Sequence, residues 1–74
     1  MTFRQKEALD FIRGFWQLYG FAPSYDEIGS ALELKSKSGV HRVVRCLVER
    51  GWVVMEPHKA RSVRVVEKFV DARG

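Results

Sequence analysis

One cysteine among 74 residues rules out an internal disulfide. The chain must therefore hold together through a hydrophobic core that a domain of this size fills only marginally. No apolar run approaches the ~20 residues that a bilayer-crossing helix needs, and no signal peptide opens the sequence. A cytoplasmic protein that leaves membranes alone is expected; the lone thiol, Cys46, fits a reducing compartment without establishing one. Catalytic chemistry is poorly supplied. There is no glycine-rich phosphate loop, Ser36 and Ser38 lack a neighbouring base, and His41 and His58 show no metal-ligand spacing to Cys46. Neither an enzyme nor a bound metal or other cofactor is expected. The length leaves room for one domain.

What the chain does have is positive charge in particular places. The formal net charge is +4, which permits a polyanionic partner and does not require one. Lys35, Lys37, His41, Arg42 and Arg45 crowd one stretch, and His58, Lys59, Arg61 and Arg64 crowd another. Most acids, Glu7, Asp10, Asp26, Glu27 and Glu33, come earlier. Charge alone leaves two readings open: a nucleic-acid footprint, or the solvated faces of an ordinary basic domain.

Periodicity favours the first. From Leu34 to Gly51 the apolar side chains fall at Val40, Val43, Val44 and Leu47, the spacing of one helical face. Ser38, His41, Arg42, Arg45 and Glu49 fall on the other side, and Cys46, near the boundary, is read as a small buried hydrophobe. Ser36 or Ser38 can supply the N-cap oxygen. Arg50 then Gly51 is a suitable close, a cation at the negative end followed by a residue that tolerates positive φ. An apolar inner wall and a polar outer face are what a recognition helix requires.

Taken from its start, the chain opens on a capping box, Thr2 with Gln5, which predicts a helix from Phe3 to about Tyr19 closed by a left-handed Gly20. Its apolar residues, Ala8, Leu9, Phe11, Ile12, Phe15, Trp16, Leu18 and Tyr19, cover more of the circumference than one core-facing stripe. Central packing in the fold is the favoured explanation, and a partner on one flank is the other. Phe21 to Pro23 reads as an extended connector. Ser24 and Glu27 form a second capping box before a short helix whose buried side is Ile28, Ala31 and Leu32, with Gly29 permitting a close neighbour. Leu34 plugs the core from the following turn. Two helices joined by about four residues, the second basic, make a helix-turn-helix. Beyond Gly51, Trp52 to Met55 and Ser62 to Val66 read as strands around a turn holding Pro57, His58, Lys59 and Arg61. A hairpin with a basic tip after a helix-turn-helix is a wing, suited to hold Lys59 and Arg61 against phosphates while the helix enters the major groove. The expected class is thus α+β, a winged helix-turn-helix of three helices and a two-stranded antiparallel wing over residues 1–66. A tail follows at 67–74, where Phe69 and Val70 are either frayed or in contact with another chain.

These residues carry a resemblance. Thr2 with Arg4 and Gln5, the Ile12 helix closing at Gly20, Ala22-Pro23-Ser24, Glu27-Ile28, Leu32, and the run from Leu34 to His41 occur in an order and spacing similar to the DNA-binding domain of the LexA repressor family, bacterial SOS regulators. Leu47, Glu49 to Gly51 and Pro57 to Arg61 complete the match, which covers about residues 2–66. The resemblance implies a repressor of transcription with a double-stranded DNA operator as partner. Carried over position by position, it implies base reading by Ser36, Ser38, Gly39, His41 and Arg42, with Arg45 reaching a base or a phosphate. Lys35, Lys37, His58, Lys59 and Arg61 are assigned to the DNA backbone. His41 and Arg42 stand where some relatives present two acids, so guanine O6 and N7 become the natural acceptors in place of the cytosine amino donor.

The family normally continues into a domain that dimerises and cleaves itself, and no such domain lies within these 74 residues. The chain is read either as an excised domain or as a free-standing relative of the kind carried by phages and mobile elements, the start methionine and domain-sized length favouring the second. Pairing on DNA as a homodimer is then an open expectation, since one helix reads one half-site. The competing reading is a protein-interaction module. Phe3, Phe11, Phe15, Trp16 and Tyr19 make helix 3–19 strongly aromatic, a surface through which a host repressor or polymerase could be contacted, with DNA secondary.

Overall fold

Side-chain oxygens start each helix of the computed structural model, which describes residues 2–66. Helix α1 spans Phe3–Tyr19, and its Thr2 hydroxyl accepts the Gln5 amide at 3.2 Å while the Gln5 side chain accepts the Thr2 amide. Gly20 ends it at φ 80, its N–H returning to the Trp16 carbonyl. Helix α2, Tyr25–Leu32, opens on the same device between Ser24 and Glu27, with Asp26 and Glu27 on the positive end of the helix dipole. Helix α3, Lys37–Glu49, is capped by Ser36, whose hydroxyl accepts from Gly39, so Ser36 and not Ser38 begins it. Gly51 follows at φ 82.

Between α2 and α3 the chain turns through Glu33 at φ 58, and the Leu34 amide closes the turn on the Gly29 carbonyl at 2.9 Å. Gly29 lets the two helices meet: a Cβ there would lie 3.0 Å from Val40 Cγ2. Helix α1 lies against both members of the pair and against the wing. The core is drawn from Ala8, Leu9 and Ile12 of α1, Ile28 and Leu32 of α2, and Val40, Val44 and Leu47 of α3, with Ala22. Val53, Val63 and Val65 close it from the wing, and Leu34 packs half-buried at its edge. Arg4 adds a tie between helix ends by donating to the Leu32 carbonyl, a cation where the α2 dipole is negative.

The wing strands are shorter than the sequence pattern suggests. Strand β1 is Val53–Val54 and β2 is Arg64–Val65, antiparallel, pairing Val53 with Val65 and Val54 with Arg64. Flanking groups are spent elsewhere: the Trp52 amide goes to the Leu47 carbonyl at the end of α3, and the Glu56 amide goes to the Ser62 hydroxyl. The three helices and this antiparallel pair form the winged helix-turn-helix.

Three expectations are corrected. Ala31 is exposed, because the side of α2 turned inward runs through Ile28, Gly29 and Leu32. Helix α1 is not enclosed by the fold: Leu18 and Tyr19 are 75% and 56% exposed. Ala8, Leu9 and Ile12 satisfy the core, and the other flank is left to stack on itself, Phe15 against Tyr19 at 4.5 Å and against Phe21 at 5.6 Å. Cys46 is half-buried rather than internal, because its position turns it toward the groove between α3 and the wing. Phe69 and Val70, and the tail 67–74, lie outside the described residues.

Candidate nucleic-acid interface

The outward side of α3 and the inner side of the wing form one groove. Ser38, His41, Arg42 and Arg45 line it from the helix, His58, Lys59 and Arg61 from the wing tip, and Tyr25 and Met55 lie between. The helical period produces the first set, since 38, 41, 42 and 45 share a face opposite Val40, Val44 and Leu47. The second set is held by the tip's own bonds. Ser62 Oγ accepts from the Glu56 amide and lies 2.9 Å from the Lys59 carbonyl, and His58 and Arg61 take left-handed φ values of 63 and 54.

Tyr25 joins the two walls. Its ring meets the His41 imidazole edge-on at 4.6 Å, and its hydroxyl donates to Met55 Sδ at 3.1 Å. Burial holds the Tyr25 phenol above its ordinary pKa, so it stays a neutral donor. His41 is exposed and stands on this aromatic base. Arg45, its side chain 80% exposed, meets Glu49 at 3.4 Å, and Lys59 meets Glu56 at 3.7 Å. Both are exposed pairs between flexible side chains, which an arriving anion can replace at small cost. Arg42 is exposed, and among the described residues no carboxylate pairs with it. The groove therefore presents exposed cationic donors over a floor of Tyr25, Cys46 and Met55.

Ser36, Gly39, Lys35 and Lys37 cluster with Ser38 at the start of α3, and of these only Ser38 reaches the groove. Ser36 and Ser38 hydroxyls are 3.2 Å apart, and Ser36 is occupied in part by capping Gly39. A Cβ on Gly39 would make only ordinary contacts, 3.5 Å from Ser36 Oγ and 3.9 Å from Leu34 Cδ2. Folding alone therefore does not demand glycine there. Lys35 and Lys37 are exposed beside it.

Arg61, expected along the DNA backbone, is engaged within the domain. Its guanidinium binds both carboxylate oxygens of Glu27, at 2.9 and 3.0 Å, donates to the Ala22 carbonyl at 3.1 Å, and lies over the Phe21 ring at 5.3 Å. A phosphate contact would have to break a bidentate pair. Nothing around Glu27 in the sequence marks it as a partner of Arg61, which lies 34 residues away. No local pattern announces such a contact, nor the part played by Tyr25 and Met55. Among the described residues no group of three or more His, Cys, Asp or Glu could hold a metal ion, and no helix is long and apolar enough to cross a membrane.

Comparison with known proteins agrees with this geometry. The family model for the LexA DNA binding domain matches residues 1–62. The chain is 45% identical over 67 residues to the LexA repressor of Cereibacter sphaeroides, covering 90% of this chain and 30% of that protein. To the LexA repressor of Bartonella quintana it is 47% identical over 66 residues, 89% of this chain and 28% of the relative. With that of Erythrobacter litoralis the match is 39% over 74 residues, all of this chain and 32% of the relative. The chain thus spans less than a third of the length of these relatives.

Proposed function

Because the chain belongs to the LexA DNA-binding domain family, we propose that it is a sequence-specific, double-stranded DNA-binding repressor module that acts in the cytoplasm at the nucleoid. Helix α3 enters the major groove, which is wide enough to admit a helix. Ser36, Ser38, Gly39, His41, Arg42 and Arg45 face the base edges. Lys35, Lys37, His58 and Lys59 lie along the sugar–phosphate backbone. The observation that carries this reading is the shared groove: Arg42 and Arg45 point outward from α3 and line the same concavity as Lys59. A second copy on the other half of an inverted repeat completes the operator, since each copy brings one reading helix.

Selection of bound duplexes from a random pool tests both parts. An enriched inverted repeat, with guanine opposite Arg42, is the expected result, and its sequence would also assign the circuit, SOS or mobile-element. Recovery of the input pool unchanged would defeat sequence reading. Affinity should fall linearly with salt on logarithmic axes, by about 0.9 per phosphate contact.

A second reading, docking of a protein, is favoured by the exposed flank of α1. Phe11, Phe15, Leu18 and Tyr19 line a shallow groove together with Asp10, Asp26 and Glu27. Asp26 suits a partner helix that carries lysine or arginine beside its apolar residues, Asp10 and Glu27 being engaged by Lys6 and Arg61. If this is the principal role, duplex affinity is weak and insensitive to salt, while Phe15→Ser or Tyr19→Ser abolishes regulation without touching DNA.

A further inference from the structure

The ladder of the wing contains only two residue pairs, too few to fix where its tip stands relative to α3. Bonds from Ser62 Oγ to Glu56 and Lys59 shape the tip but do not join it to the body of the domain. Trp16 and Tyr25 hold the flanks of the hairpin at Val63 and Met55. At the tip itself the tie is Arg61. We infer that the Glu27–Arg61 pair is a latch that sets the position of the wing over the reading helix, making Arg61 a positioning residue for DNA binding rather than a phosphate ligand. This rests on the DNA-binding reading above.

Four contacts meet on this one guanidinium: two carboxylate oxygens, a backbone carbonyl and an aromatic face. Planar, forked donors match a carboxylate in a way that a lysine ammonium does not. The carboxylate is itself held still, because Glu27 Oε1 also accepts the Ser24 amide at 2.8 Å as part of the α2 cap. One side chain thus begins α2 and anchors the wing. Arg61 adopts φ 54, a left-handed conformation that costs a non-glycine residue energy and persists where surrounding contacts compensate. The electrostatics agree in direction: hydrogen bonding to Arg61 holds the Glu27 carboxyl below its usual pKa, and Glu27 raises that of Arg61. With Arg61 occupied, His58 and Lys59, just before it in the tip, are the cations the latched wing offers to a backbone.

Two substitutions separate the roles. Glu27→Gln removes the charge while keeping a residue that can complete the capping box, so α2 retains its start. Arg61→Lys keeps the charge and loses the fork. If Arg61 were a phosphate ligand, Glu27→Gln would free it and tighten binding, and Arg61→Lys would be nearly silent. The latch requires the opposite: each raises the Kd for the selected duplex by roughly three- to tenfold, and the double variant is no worse than the weaker single. A readout without DNA accompanies this. Heteronuclear NOEs of the Lys59 and Ala60 amides should drop in both variants while those of Val44 and Leu47 stay unchanged. Tighter or unaltered binding by Glu27→Gln, or wing amides as ordered as before, overturns the inference. A wild-type chain that ignores every duplex, with the wing nevertheless loosened in the variants, overturns the DNA reading and the positioning role while leaving the mechanical tie in place.

Discussion

The indole N–H of Trp16 donates to the backbone carbonyl of Val63 across 2.9 Å, joining the first helix to the returning side of the wing over 47 residues of chain. It is a bond between a side chain chosen at one end of the fold and a backbone group at the other. Trp16→Phe keeps most of the apolar contact and leaves that carbonyl to water. A loss of about 1 kcal/mol is expected, seen as a fall in Tm of about 4–8 °C for a domain of this size. An unchanged Tm would mean the bond contributes nothing.

Gly29 and Val40 set the separation of the helix-turn-helix pair. A Cβ at 29 would stand 3.0 Å from Val40 Cγ2, and a valine in a helix has little rotamer freedom with which to retreat. Helix propensity favours alanine over glycine by about 0.5–1 kcal/mol, whereas overpacking a core costs about 1–3 kcal/mol. Gly29→Ala should therefore destabilise. Equilibrium denaturation decides it, and a higher midpoint with the same slope would show that the helices simply part.

Gly39 gives the contrasting case. A methyl there meets nothing closer than 3.5 Å, so Gly39→Ala should fold at least as stably as the parent. If Gly39 lies at the point of closest approach to DNA, the same change should sharply reduce operator affinity. Thermal melting beside a binding titration measures both, and unaltered affinity would remove Gly39 from the interface.

Arg42 and Lys59 should fail differently. Arg42→Ala is expected to cost about 1–3 kcal/mol of discrimination at one operator position. Lys59→Ala should weaken all duplexes alike and reduce the salt slope by about 0.9. Identical behaviour of the two variants across a randomised pool would show that the helix and wing have been given the wrong tasks.

Acid should release the wing before it unfolds the domain. The folded pKa of Glu27 is depressed below 4.5, chiefly by the Arg61 hydrogen bond. Its contribution is therefore complete above that ordinary value and disappears as pH falls through the lower folded one. Tyr25 works with the opposite sign: burial raises its pKa above 10.0, so stability is kept below that pH and lost as pH climbs through the folded value. Amide exchange at Lys59 followed down an acid titration should show an opening that Glu27→Gln already displays at neutral pH.

Local chemistry was legible in the sequence and distant pairing was not. The boxes at Thr2 and Ser24 and the stop at Gly20 involve residues within four positions of each other, so their side chains announce them. The α3 period identified Val40, Val44 and Leu47 as buried and put Arg42 and Arg45 outside. Two serines could each cap α3, and only the backbone path selected Ser36. The breadth of apolar residues on α1 was visible, but whether the fold would enclose them depended on how far α2 and the wing reach around it. Arg61 looked like its basic neighbours because nothing near it in sequence reveals Glu27.

The chain's two tryptophans have a practical use. Trp16 is hydrogen-bonded to Val63, and the Trp52 carbonyl accepts the Val66 amide at 2.8 Å. Both fluorophores thus flank the hairpin and neither lies on α3. Tryptophan emission will follow what the hairpin does when a duplex arrives, with Trp52 reporting also on the end of α3, whose Leu47 carbonyl accepts its amide.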